Sequence, residues 1–180
     1  MAENVNSKKV SDQAQASGAA VRPARLDLVF VALTVLGIGI SGYLSWAHLT
    51  YTPILCTADL SCDTVNRSAY AYFPPTWGIP VSYLGLVAYL ALFGLGLWRL
   101  RAARQVATGG ALSGAGGDLV SRLDLALFIG TLLGLIFSAY LTAMELFVIN
   151  AICWWCVGSA TIITVLFAIS VARVWAGNDY

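Results

Sequence analysis

Four stretches of the chain carry no charged residue: Leu28–Ala47, Gly78–Trp98, Leu125–Met144 and Ala151–Ala172. Each supplies the roughly 20 apolar residues that a helix needs to cross ~30 Å of hydrocarbon. Between the last two, only Glu145 and Asn150 interrupt the apolar run. A single helix over Leu125–Ala172 would be roughly 72 Å long at ~1.5 Å per residue, more than twice the membrane. The chain must therefore fold back, and these two polar residues place the turn. The pattern predicts an all-α fold, an integral membrane four-helix bundle. It divides the chain into a polar tail over 1–25, a transmembrane domain over 26–174 and a short tail over 175–180. Loop 48–77 joins the first two spans and loop 99–122 joins the second and third.

The tail over 1–25 is rich in Ala, Ser, Gln and Lys. It lacks the apolar core of a secretory signal, and its composition predicts disorder. The segment Gln105–Ser121 holds five glycines and no phosphate-binding pattern, so it reads as a linker. Basic residues set the orientation. Lys8, Lys9, Arg22, Arg25, Arg99, Arg101, Arg104, Arg122 and Arg173 fall on one side of an even number of spans, and only Arg67 falls on the other. Both termini and loop 99–122 are thus expected in the cytoplasm. Tryptophans mark the edges of the spans: Trp46, Trp77, Trp154 and Trp155 at the outer edge, Trp98 and Trp175 at the inner one. Gly37, Gly39, Gly42 and the pair Gly130 and Gly134 read as positions of close helix packing.

Composition agrees. The chain is 59% hydrophobic and 11% charged, with a mean hydropathy of +0.78, whereas a water-soluble domain carries about 25% charged residues. The net charge of +1 provides no basic face for nucleic acid.

The candidate chemistry is sulfur. Charge and hydropathy alone put Cys56 and Cys62 in the outer loop, and Cys153 and Cys156 in the first turn of the fourth span, so all four thiols share the face on which disulfides persist. In Cys153-Trp-Trp-Cys156 the two sulfurs lie on nearly one side of a helix start. There the helix dipole and free N–H groups stabilise a thiolate, the reacting species. Loop flexibility would let Cys56 and Cys62 open and close as a pair. Four cysteines allow three pairings. Competing readings are a thiolate metal-binding membrane protein, since C-x-x-C also occurs in zinc sites, and a tetraspan scaffold braced by two static disulfides. His48, alone of its type, reads as an interface anchor, and Glu145 as a carboxylate solvated near a helix end. The apolar run Ala69–Phe73 is expected to cap the site and exclude water.

The order of these motifs resembles the vitamin K epoxide reductase family, and more closely its bacterial members. The matching residues are Cys56-x5-Cys62-Asp63-Thr64-Val65, Ser68, Trp77-Gly78-Ile79-Pro80-Val81 and Glu145 through Cys156. The resemblance spans about residues 26–173. It implies that Cys56 exchanges with the thiols of a thioredoxin-like periplasmic partner, that Cys62 relays by attacking Cys153, and that Cys156 reduces a quinone (menaquinone, ubiquinone or phylloquinone), with no metal. Ser68 would bind the substrate or tune the neighbouring sulfur. It also implies a bacterial inner membrane with the active site on the periplasmic face. Vertebrate members carry a tyrosine where this chain has Ala160, which favours disulfide formation over vitamin K quinone or epoxide reduction proper. Some bacterial relatives carry a fused thioredoxin-like domain. With the sequence ending at Tyr180, the partner is expected to be a separate protein.

Overall fold

The structure, a computed structural model, describes residues 2–56, 61–73, 78–108 and 116–177. Trp77 and Asp59 lie outside these residues. The long elements are α1 (Ala2–Thr50), α3 (Val81–Ala107), α4 (Gly116–Met144) and α5 (Trp154–Gly177). Two short elements, α2 (Ser61–Asn66) and a 3-10 turn (Ala69–Ala71), lie between α1 and α3, and a π turn (Glu145–Ile149) follows α4. Among the described residues, four segments are long and apolar enough to cross a membrane: Arg25–Thr50, Val81–Val106, Asp118–Ile149 and Trp154–Trp175. The predicted all-α membrane bundle is therefore the fold.

The helices run longer than the apolar stretches. α1 reaches back to Ala2, taking in the segment for which composition predicted disorder; Ala, Lys and Gln are good helix formers. α3 continues past Trp98 to Ala107 and α4 begins at Gly116, so much of the expected loop 99–122 is helix. Hydropathy reports where a helix meets lipid, not where its hydrogen bonding stops.

Each long helix packs on two neighbours, in the order α1, α3, α4, α5 and back to α1. Phe30, Tyr89, Leu92, Leu127 and Leu166 form the central contact, while Leu36, Val87, Leu133 and Ile136 face outward as a lipid-exposed surface. The glycines divide into two kinds. A Cβ on Gly37 would run into the Tyr89 ring, one on Gly96 would lie 3.2 Å from Phe30, and one on Gly134 would lie 3.0 Å from Ile163. Gly39 and Gly42 have nothing within 4 Å, so close packing does not explain them.

One end of the bundle is held by ions. Asp27 of α1 accepts from Arg99 of α3 and from Arg173 of α5, each at 2.6 Å, and Arg99 also pairs with Asp124 of α4 at 2.6 Å. Asp27, Arg99 and Arg173 are buried. These two arginines are neutralised inside the bundle, whereas Arg25, Arg101, Arg104 and Arg122 are exposed.

Candidate active site

At the opposite end lie the cysteines. α1 stops at Thr50, and Tyr51 takes a left-handed conformation (φ 54°), rare for an aromatic residue. Arg67 fixes this corner: its guanidinium donates to the Tyr51 carbonyl at 2.9 Å, lies 5.9 Å from the Tyr51 ring centre and pairs with Asp63 at 3.4 Å. The chain then runs without regular secondary structure through Leu55 to Cys56. The Leu55 N–H donates to the Tyr43 hydroxyl at 3.1 Å, and the Leu55 carbonyl accepts from the Trp155 indole at 3.0 Å. Cys56 is joined to Cys62 by a disulfide, with the Cα atoms 6.3 Å apart. Cys62, in the first turn of α2, is fully buried, and Cys56 is half-buried.

The second pair is reduced. Asn150, left-handed at φ 52°, ends the π turn; its N–H and that of Ala151 donate to the Glu145 carbonyl, closing the turn that the sequence located there. α5 begins at Trp154, so Cys153 stands immediately before it rather than within its first turn, and its carbonyl accepts from Val157 at 3.0 Å. This is the N-cap position, toward which free helix N–H groups point. The Cys156 thiol, together with the backbone N–H groups of Cys156 and Trp155, holds the Cys153 thiol below its ordinary range in spite of burial.

Cys62 and Cys153, both fully buried, belong to one apolar cluster with Leu44, Ala47, Ile54 and Val65; Cys56, Trp155 and Cys156 pack against it. Beside it opens a cavity of about 550 Å³, walled chiefly by apolar side chains of α1, α3, α4 and α5. Cys153 and Cys156 line this cavity. That volume falls within the ~300–1,000 Å³ usual for small-molecule sites. Tyr89 reaches across it, its hydroxyl 3.0 Å from both the carbonyl and the hydroxyl of Ser159.

Ser68 lines the same cavity, its hydroxyl donating to the Val65 carbonyl at 2.9 Å. The hydroxyl hydrogen is thus occupied and the oxygen lone pairs remain for a ligand. Tyr70, Ala71 and Phe73 line the cavity too. Phe73 packs edge-on against Phe137 of α4, and its N–H donates to the Ile79 carbonyl at 2.9 Å. The strap is anchored just after Gly78, whose φ of +65° favours glycine.

One polar residue differs from its sequence reading. Glu145 is not solvated at an interface: it is 5% exposed, lines the cavity, and its carboxylate accepts from the Cys153 N–H at 3.3 Å and from the Cys156 thiol. A carboxylate before a turn looks like a surface group in sequence; here the turn folds it inward. His48 is half-buried, with Nε2 3.3 Å from the Tyr72 hydroxyl. Among the described residues, no three His, Cys, Asp or Glu side chains are placed to hold a metal ion.

The model of the vitamin K epoxide reductase family matches residues 28–171. No curated protein matches the chain.

Proposed function

The chain belongs to the vitamin K epoxide reductase family and is a membrane oxidoreductase; from that premise we propose that it oxidises the thiols of a separate thioredoxin-like protein and passes two electrons to a quinone. The observation that carries this reading is the division of the sulfurs. Cys153 and Cys156 line the apolar cavity, Cys56 and Cys62 are not among its lining residues, and Cys62 and Cys153 share one buried cluster. A water-soluble partner and a lipid-soluble acceptor then never have to meet.

In the proposed cycle a partner thiolate attacks Cys56, and the mixed disulfide is resolved within the partner, leaving Cys56 and Cys62 as thiols. Cys62 attacks Cys153 of an oxidised Cys153–Cys156 pair, and Cys156 leaves. Cys56 then attacks Cys62, and Cys153 leaves readily because its thiolate is stabilised at the start of α5. Cys153 and Cys156 finally reduce the acceptor and re-form their disulfide. Ser68, whose own hydrogen goes to the Val65 carbonyl, would accept a hydrogen bond from the hydroxyl of the reduced acceptor. The proposed acceptor is menaquinone, ubiquinone or phylloquinone, and the apolar lining of the cavity supports an acceptor of that kind. The charge asymmetry of the exposed basic residues supports cytoplasmic termini, and with them thiols on the outer face; the proposed setting is a bacterial inner membrane with the thiols on its periplasmic face. The missing tyrosine at Ala160 supports disulfide formation over epoxide reduction.

The test is a trap. Cys62→Ala should accumulate a mixed disulfide between Cys56 and a soluble thioredoxin-like protein, visible on non-reducing gels and identified by mass spectrometry. Absence of any trapped species in a disulfide-forming host would refute the relay.

A further inference from the structure

Glu145 is the only Asp, Glu, Lys, Arg or His among the described residues that line the cavity; its carboxylate accepts from the backbone N–H of Cys153 at 3.3 Å and lies against the Cys156 thiol, which lines the same cavity. A carboxylate and a thiolate in contact in a site this dry cannot both be ionised, because like charges at low dielectric repel by several kcal/mol. The proposed cycle nevertheless requires Cys156 to leave a disulfide bearing an electron pair. We propose that Glu145 and Cys156 share one proton, which Glu145 gives to the Cys156 sulfur as it leaves and takes back as that sulfur is oxidised again.

The step balances. When Cys62 attacks Cys153, the Cys62–Cys153 bond forms and the Cys153–Cys156 bond breaks. The electron pair stays on the Cys156 sulfur, which takes the proton of the Glu145 carboxylic acid. When the Cys153–Cys156 bond re-forms, two electrons pass to the oxidant and the Cys156 proton returns to Glu145. The two protons that a quinone takes up come from solvent, which receives the two lost by the partner's thiols. On the elements packed against the turn of Glu145, Cys62 and Asp63 belong to α2, with Asp63 paired to Arg67, and Tyr140, Asp118, Arg122 and Asp124 belong to α4, Asp124 being tied to Arg99 at the far end of the bundle; Cys153 and Cys156 stand at the start of α5, whose Arg173 is held by Asp27 at that far end. Of the carboxylates among the described residues, Glu145 alone lines the cavity.

This inference rests on the relay proposed above, so its test separates the two. Full-length wild-type, Glu145→Gln and Glu145→Asp proteins are reduced, and closure of the Cys153–Cys156 disulfide is followed across pH by alkylation and mass spectrometry. One arm uses diamide, a soluble two-electron thiol oxidant, and the other a short-chain naphthoquinone. The glutamine keeps an oxygen for the Cys153 N–H but cannot take a proton. It should close about 100-fold more slowly in both arms, and should lack the fall in rate that wild type shows on the acid side as Glu145 fills with a proton. Glu145→Asp should keep that acid limb at a reduced rate, and it reads the proposal alone if the glutamine variant does not fold. A glutamine variant with the wild-type rate and pH profile in diamide overturns the proposal, as does a slow variant whose acid limb is unchanged. A wild type that ignores the naphthoquinone while the diamide arm depends on Glu145 sinks the quinone reading and leaves the shared proton standing.

Discussion

The indole N–H of Trp155 donates to the carbonyl of Leu55 at 3.0 Å, so the residue between Cys153 and Cys156 grips the residue before Cys56. Tyr43 completes the clasp: its hydroxyl accepts the Leu55 N–H, and its ring lies 5.0 Å from the Trp155 ring. Trp155→Phe keeps the ring and removes one hydrogen bond, a loss of about 1 kcal/mol. Electron transfer between the two cysteine pairs should slow by roughly fivefold, measured by quenched alkylation after a single addition of reduced partner. The alkylation pattern of the fully oxidised protein should not change.

Cys153 owes its acidity first to the Cys156 thiol. A lowered thiol value means that the thiolate persists at pH values where an ordinary cysteine is protonated. Cys156→Ala should therefore move the pH profile of Cys153 toward higher pH. The reaction of Cys153 with a small methanethiosulfonate reagent admitted through the cavity, with the loop disulfide intact, checks this.

Phe73 seals the cavity against α4 through Phe137. Phe73→Asp places a charge on that seal, and the cost of desolvating it opens the strap to water. Quinone-dependent turnover should fall, while trapping of a partner on Cys56 in the Cys62→Ala background should persist.

Gly37→Ala drives a Cβ into the Tyr89 ring, whereas Gly42→Ala meets nothing within 4 Å. The first should destabilise the bundle by about 1–3 kcal/mol, as overpacking does. The second should stay within about 0.5 kcal/mol of wild type. Thermal unfolding in detergent distinguishes them.

Asp27→Asn leaves Arg99 with Asp124 alone and Arg173 with no carboxylate among its described partners. Removing one partner from a buried ion pair costs about 3–5 kcal/mol. The melting temperature should drop far more than for Arg101→Ala, an exposed neighbour. Protein that remains folded should still close Cys153–Cys156 at the normal rate, because the cluster and the thiols occupy opposite ends.

Much of this was legible in the sequence because bilayer and redox chemistry each write a local signal. Apolar length marked the spans, and Asn150, tolerant of left-handed backbone, marked the reversal before α5. The burial of Glu145 had no local signal, since its surroundings are made by a π turn that hydropathy does not report. Nor did the ionic cluster: its members stand at positions 27, 99, 124 and 173, and only the packing of four helices joins them. Asp27 and Asp124, acids beside the spans, were the available hint.

That cluster gives the molecule's birth an order. With α1, α3 and α4 in the membrane, Asp27 and Asp124 carry two negative charges against the single positive charge of Arg99. Arg173 of the last helix makes the sum zero. A nascent bundle is therefore an unbalanced acid waiting for its final span, and arrival of α5 both neutralises it and delivers Cys153 and Cys156 to their cavity.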